Sequence, residues 1–155
     1  MLFRSAGLTG AIVGAAIMLF ALPAELFGRV PVPSGTLAAN AQRVAVIDGE
    51  TLLLDQTLVR LQGVTAPARG QRCQGSNDCG AASAEKLASL VRGQAVACRL
   101  NGRDRDGFAR GLCEAAGTDL NRALVAAGWA HARDEGPGFS AEEADARAAH
   151  RGMWP

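Results

Sequence analysis

The stretch RVAVIDGETLLLDQTLVRLQGVTAP, Arg43–Pro67, decides how the rest of the chain is read. Val44 and Val46, then Leu52 and Leu54, are apolar at every second position, the pattern of half-buried strands. Asp48-Gly49 between them is a hairpin signal, because glycine takes positive φ at no steric cost. A third strand follows, carries Arg60 and ends at Gly63. Glu50 and Arg60 thus sit on neighbouring strands, where a carboxylate and a guanidinium can face one another across a concave surface. They also read as a plain ion pair at the solvent edge of the sheet.

Downstream the periodicity changes. Residues 80–92 are predicted to be a helix: Leu87, Leu90 and Val91 form one stripe, the alanines favour helix and Gly93 stops it. Ala95–Leu100 reads as a fourth strand, NGRDRDG as a polar turn and Phe108–Cys113 as a fifth strand. Asp119–Ala127 is a second helix with Leu120, Leu124 and Val125 inward, after which Trp129 is expected to plug the core. Ser140 and Glu143 form a capping box that opens a third helix running to about His150, and Trp154 is expected to dock back onto the body. His131 and His150 have no convergent partners in the sequence and read as surface residues. Pattern alone gives an α+β class.

Composition bounds the function. The chain has 155 residues, 48% of them hydrophobic, enough for one ordinary core plus a tail. With Arg4, Arg29 and Glu25 of the first 41 residues set aside, 14 basic and 14 acidic side chains remain. A domain that holds nucleic acid by bulk charge is usually basic, so balanced charge lends no support to that mode. Tyrosine is absent, leaving five Phe and two Trp as stacking surfaces. The N-terminus reads as a targeting segment: Arg4 precedes an uncharged run, Ala6–Leu22, of a length between a signal peptide's apolar region and a full membrane span. Residues 1–24 are therefore a signal peptide or membrane anchor, 25–42 a linker and 43–155 the domain. Cleavage is conceivable after Ala24 or after Ala41.

Cys73, Cys79, Cys98 and Cys113 make an even count in an exported small domain, which reads as a disulfide framework. Of three possible pairings, Cys73–Cys79 would pin the loop QGSND, and Cys98–Cys113 would join the ends of two successive strands. Zinc is disfavoured, because the spacings contain no CxxC and both histidines lie far downstream.

IDGETLLL followed by VRLQGVTAP resembles the opening of the thermonuclease (staphylococcal nuclease-like) family, with its DGDT turn, R-L strand and D-x-P-E segment. The resemblance continues through GAASAEKLASLVRG, DRDG, DLNRALVAAGWA and GMW, covering about residues 43–154. It implies a five-stranded OB-fold Greek-key barrel with about three helices, one between strands 3 and 4 and two after strand 5. It also implies a calcium ion held by two acids, a glutamate that activates water and two arginines that clamp the phosphate. Here Glu50 replaces the acid of DGDT and Arg60 is kept, but Thr65 stands where the second calcium ligand would be and Ala68 where the base would be. The second arginine is Arg110 on one alignment and is replaced by Phe108 on another.

The loss of a general base alone is worth about 10²–10⁴ in rate. The function expected is therefore an exported, nuclease-like protein with a degraded site that binds a ligand or serves the envelope. Proteins linked to exopolysaccharide (succinoglycan) biosynthesis also resemble this domain. The alternative is a weak calcium-dependent phosphodiesterase with Glu50 on the metal and Arg60 and Arg110 as catalytic residues. A third reading is a structural adaptor. No cofactor is expected outside the nuclease alternative, which alone needs calcium. Expected partners are nucleic acid or another anionic polymer, with the membrane touched only through the N-terminal segment.

Overall fold

A computed structural model describes residues 34–73, 78–136 and 138–155. The expected signal peptide or anchor, residues 1–24, and the linker as far as residue 33 lie outside them. Among the described residues no helix is long and apolar enough to cross a membrane.

In chain order the elements are β1 (Ser34–Ala39), a 3-10 turn (Ala41–Arg43), β2 (Val44–Val46), β3 (Thr51–Leu54), β4 (Thr57–Leu61), β5 (Val64–Thr65), α1 (Cys79–Val91), β6 (Val96–Arg103), β7 (Ala109–Ala115), β8 (Thr118–Asp119), α2 (Leu120–Ala126), β9 (His131–Ala132) and α3 (Ser140–Ala148). Among the described residues the class is α+β with three helices, placed along the chain where the sequence puts them. The main sheet runs β1-β6-β7-β4-β3-β2, with β8 on β7, and β5 pairs β9 separately. Among the described residues no ladder closes this sheet into a barrel. Its two terminal strands are nevertheless consecutive in the chain, joined through residues 40–43, so the ends of the sheet are tied covalently.

Part of the expected linker belongs to the domain. Ser34–Ala39 pairs with β6 from Ser34↔Asn101 to Ala39↔Val96 and buries Ala39 in the core. The segment was missed because SGTLAA is short of β-branched and aromatic residues; its strand is imposed by the β6 edge. The Asp48-Gly49 turn forms, but for a different reason than expected. The positive φ in the two hairpins belongs to Asp55, at 54°. Gly49 is needed for space, because a Cβ there would lie 2.1 Å from Ser83 Oγ on α1.

Leu52 and Leu54 of β3, Val59 and Leu61 of β4, Leu87 of α1, Val96 of β6 and Leu120, Leu124 and Val125 of α2 form one buried cluster. Phe139 fills it as a fully buried aromatic at 0% exposure, whereas Trp129, expected in that role, is only half-buried. Trp129 instead offers its carbonyl to the Ser83 hydroxyl at 2.8 Å. The expected capping box is also absent. α3 opens without a side-chain cap, because Glu143 turns to β9, accepting from Ala132 N at 3.1 Å and meeting His131 Nδ1 at 3.2 Å. His131 is thus partnered, and its ring also packs edge-on against Trp154, 5.0 Å away. That contact, with the Met153 N–H to Gly128 O bond of 2.9 Å, docks the C-terminus as expected.

Both cysteine pairs are bonded, Cys73–Cys79 and Cys98–Cys113. Cys98 and Cys113 are direct register partners on β6 and β7, so that bridge reinforces an existing ladder. Cys73–Cys79 ties the loop that follows β5 to the first residue of α1. Asp78 supports the same junction, capping α1 through Ala81 N at 2.9 Å while accepting from Gly70 N at 3.0 Å.

Candidate functional site

The site is built at the ends of β4 and β7. These strands run parallel with Arg60 opposite Arg110, so the two guanidinium-bearing residues stand side by side on one face. Antiparallel pairing of β3 with β4 sets Thr51 opposite Arg60 and brings Glu50, one residue earlier, to the same end. The carbonyl of Glu50 continues the ladder by accepting from Leu61 N at 2.8 Å. Around these residues lies a cavity of about 490 Å³, walled also by Thr65, Arg103, Asp104, Arg105, Asp106, Arg133 and Glu135.

Glu50 is committed to the fold. Its Oε2 accepts from Ala66 N at 2.8 Å, closing the segment after β5 onto the sheet, while Oε1 stands 3.7 Å from Arg60 Nε. Burial pushes the Glu50 carboxyl above the usual carboxylate range, against the pull of the Ala66 N–H and of Arg60.

Arg60 is committed too, and to partners that sequence reasoning missed. Its Nη1 donates to Asp104 Oδ2 at 2.6 Å and to Asp106 Oδ2 at 2.8 Å, and its guanidinium lies over the Phe108 ring, 4.6 Å from the centroid. Burial works against its charge, but Asp106, Asp104 and Glu50 outweigh burial and hold its pKa above the ordinary value. Asp104 also builds the loop that aims Asp106. Its Oδ1 accepts from Asp106 N and Phe108 N, both at 2.9 Å, and its N–H donates to Phe108 O at 2.9 Å. The signal was present in RDRDG, since Asp and Gly in a strand connection favour such side-chain-closed turns. Arg110 is 3.4 Å from Glu135, another acid not singled out from the sequence.

The two alignments of the second arginine therefore describe neighbouring places. Phe108 lies beneath the Arg60 guanidinium, and Arg110 stands beside Arg60 in register. Thr65 reaches the cavity wall, but Ala68 is exposed and is not among the residues lining it.

These residues do not fit a calcium ion. Calcium takes about 6–8 oxygen ligands, carboxylates among them. Thr65 offers a neutral hydroxyl, Glu50 is engaged by a backbone N–H, and Asp104 and Asp106 are turned onto Arg60. Among the described residues no group of three or more His, Cys, Asp or Glu is placed to hold a metal.

Asn121 is a further residue missed from the sequence, fully buried at the joint between α2, β4 and β7. Its Nδ2 donates to Gln62 O at 2.8 Å and Gly111 O at 3.1 Å, and its Oδ1 accepts from Cys113 N at 3.0 Å. It thereby fixes the strand ends that carry Arg60 and Arg110.

Residues 58–155 match the family model described as staphylococcal nuclease homologue, a span that includes Arg60, Thr65, Asp104, Asp106 and Arg110. Over 120 residues the chain is 34% identical to the succinoglycan biosynthesis protein ExoI of Rhizobium meliloti (strain 1021). The match covers 72% of this chain and 63% of that relative's length. The parallel β4–β7 pair, the helix inserted between β5 and β6, and the match over most of the domain agree: this chain belongs to the staphylococcal nuclease homologue family.

Proposed function

We propose that this is an exported, non-catalytic member of its family that serves the cell envelope, in exopolysaccharide assembly. The observation that carries the loss of catalysis is the state of Arg60. Its guanidinium, which in a phosphodiesterase must be free to meet developing negative charge, is bonded to Asp104 and Asp106. Thr65 and Ala68 add the absence of a second acid and of a base in the segment where the family pattern places them. Two disulfides in a small domain support an oxidising compartment. The similarity to a succinoglycan biosynthesis protein supports the envelope role.

The nuclease alternative draws on one feature, the side-by-side placement of Arg60 and Arg110 in one cavity with Glu50. A phosphodiesterase assay on single-stranded DNA, with and without calcium, separates the two readings. The expected outcome is no calcium-dependent turnover and no calcium binding tighter than about 10⁻³ M by titration calorimetry. Micromolar calcium binding with DNA cleavage would sink the non-catalytic reading.

A further inference from the structure

We infer that Asp104 and Asp106 determine the specificity of the cavity by serving as its internal anion, keeping phosphate and other anionic groups off Arg60. The inference deepens the non-catalytic reading and rests on it. Three carboxylates surround one guanidinium: Asp104 and Asp106 bond Nη1, and Glu50 Oε1 stands 3.7 Å from Nε. An incoming phosphate would have to displace two charge-assisted hydrogen bonds and then sit among like charges.

The placement of Asp106 argues that this is more than a surface ion pair. Its side chain is 65% exposed, a setting in which a carboxylate is ordinarily left to water. Here it is carried back across 46 positions of sequence to the same Nη1 that Asp104 holds. Asp104 divides its two oxygens between tasks, Oδ1 closing the loop on two backbone N–H groups and Oδ2 taking the guanidinium. Phe108 closes one face of the guanidinium from below. The Nε–H of Arg60 is buried without an acceptor in hydrogen-bond range and has Glu50 Oε1 3.7 Å away, so Nη1 is the donor that neutralising the two aspartates would release.

The test is titration calorimetry of the purified full chain with inorganic phosphate and, separately, with a short single-stranded oligodeoxynucleotide. Four proteins are compared: wild type, Asp106→Asn, Asp104→Asn with Asp106→Asn, and that double variant with Arg60→Met. Asparagine at 104 keeps an oxygen for the two loop N–H groups, and the change at 106 touches none of the loop's own bonds. Affinity is expected to rise by about tenfold for each carboxylate neutralised and to fall back to the wild-type level with Arg60→Met. Wild-type binding as tight as that of the double variant overturns the inference. So does a folded double variant with no gain, or a gain that survives Arg60→Met. If the double variant fails to fold, Asp106→Asn alone decides by the same criterion. Cleavage of the oligonucleotide by wild type would defeat the non-catalytic reading, while the order of phosphate affinities still judges this one.

Discussion

Glu50 shows how one side chain can be legible in sequence as chemistry and be used in the structure for architecture. A carboxylate after a turn, on a strand beside Arg60, reads as a metal ligand or as half of an edge ion pair. Folded, it receives the Ala66 N–H and is held above the usual carboxylate range by burial. Because its folded value lies above its unfolded one, the native state keeps the proton to higher pH. Ionised Glu50 therefore costs stability as pH rises through the ordinary glutamate range, and that cost is complete above the folded value. Glu50→Gln retains an oxygen for Ala66 N and has no charge to desolvate. Urea unfolding should show it within about 1 kcal/mol of wild type at neutral pH or more stable, with the destabilisation on rising pH removed. Glu50→Ala strands the Ala66 N–H and should cost about 1–3 kcal/mol. A Glu50→Gln protein as damaged as Glu50→Ala would show that the charge itself is needed. Asp104 and Asp106 could not be found in this way, since their partner lies 44 and 46 residues earlier and only the parallel pairing brings it near.

At the scale of elements, periodicity located the helices and most of the long strands within a few residues. It failed where a tertiary neighbour decides the structure. The Ser140–Glu143 motif lost its capping role because β9 offered Glu143 an N–H and an imidazole. The short pair β5–β9 has too few residues to leave a pattern at all. Asn121 is the element-scale joint, spending one side chain on groups from β7 and the end of β4. Each buried backbone group left unpaired costs about 1–3 kcal/mol, so Asn121→Ala should be among the most destabilising single changes. Thermal unfolding of that variant, beside Asn121→Asp, which keeps the acceptor for Cys113 N, is the check. A loss below about 1 kcal/mol for Asn121→Ala would mean water replaces the amide.

For the whole molecule, the family resemblance supplied the topology, which composition and pattern alone left at α+β. What it did not supply was the extent of the domain. β1 completes the sheet by covering β6, and its removal would bare an edge with its N–H and C=O groups unpaired. A chain beginning at Gln42 should therefore be less stable and self-associate, seen as early elution on size exclusion, whereas one beginning at Glu25 should stay monodisperse. For the same reason, on the proposed export, the mature N-terminus read by mass spectrometry is expected upstream of Ser34. A terminus at Gln42 on a soluble, folded protein would show β1 to be dispensable.

The pairing of the first described strand with β6 also sets an order of events. Leu37 meets Cys98, so the ladder cannot begin to form until some sixty residues beyond it have been made and moved clear of the ribosome. The hairpins of β2, β3 and β4 close among themselves much earlier, from contacts a few residues apart. Completion therefore waits on the stretch that also receives the Cys98–Cys113 bridge, and a chain halted before Val96 would hold its first strand without a mate.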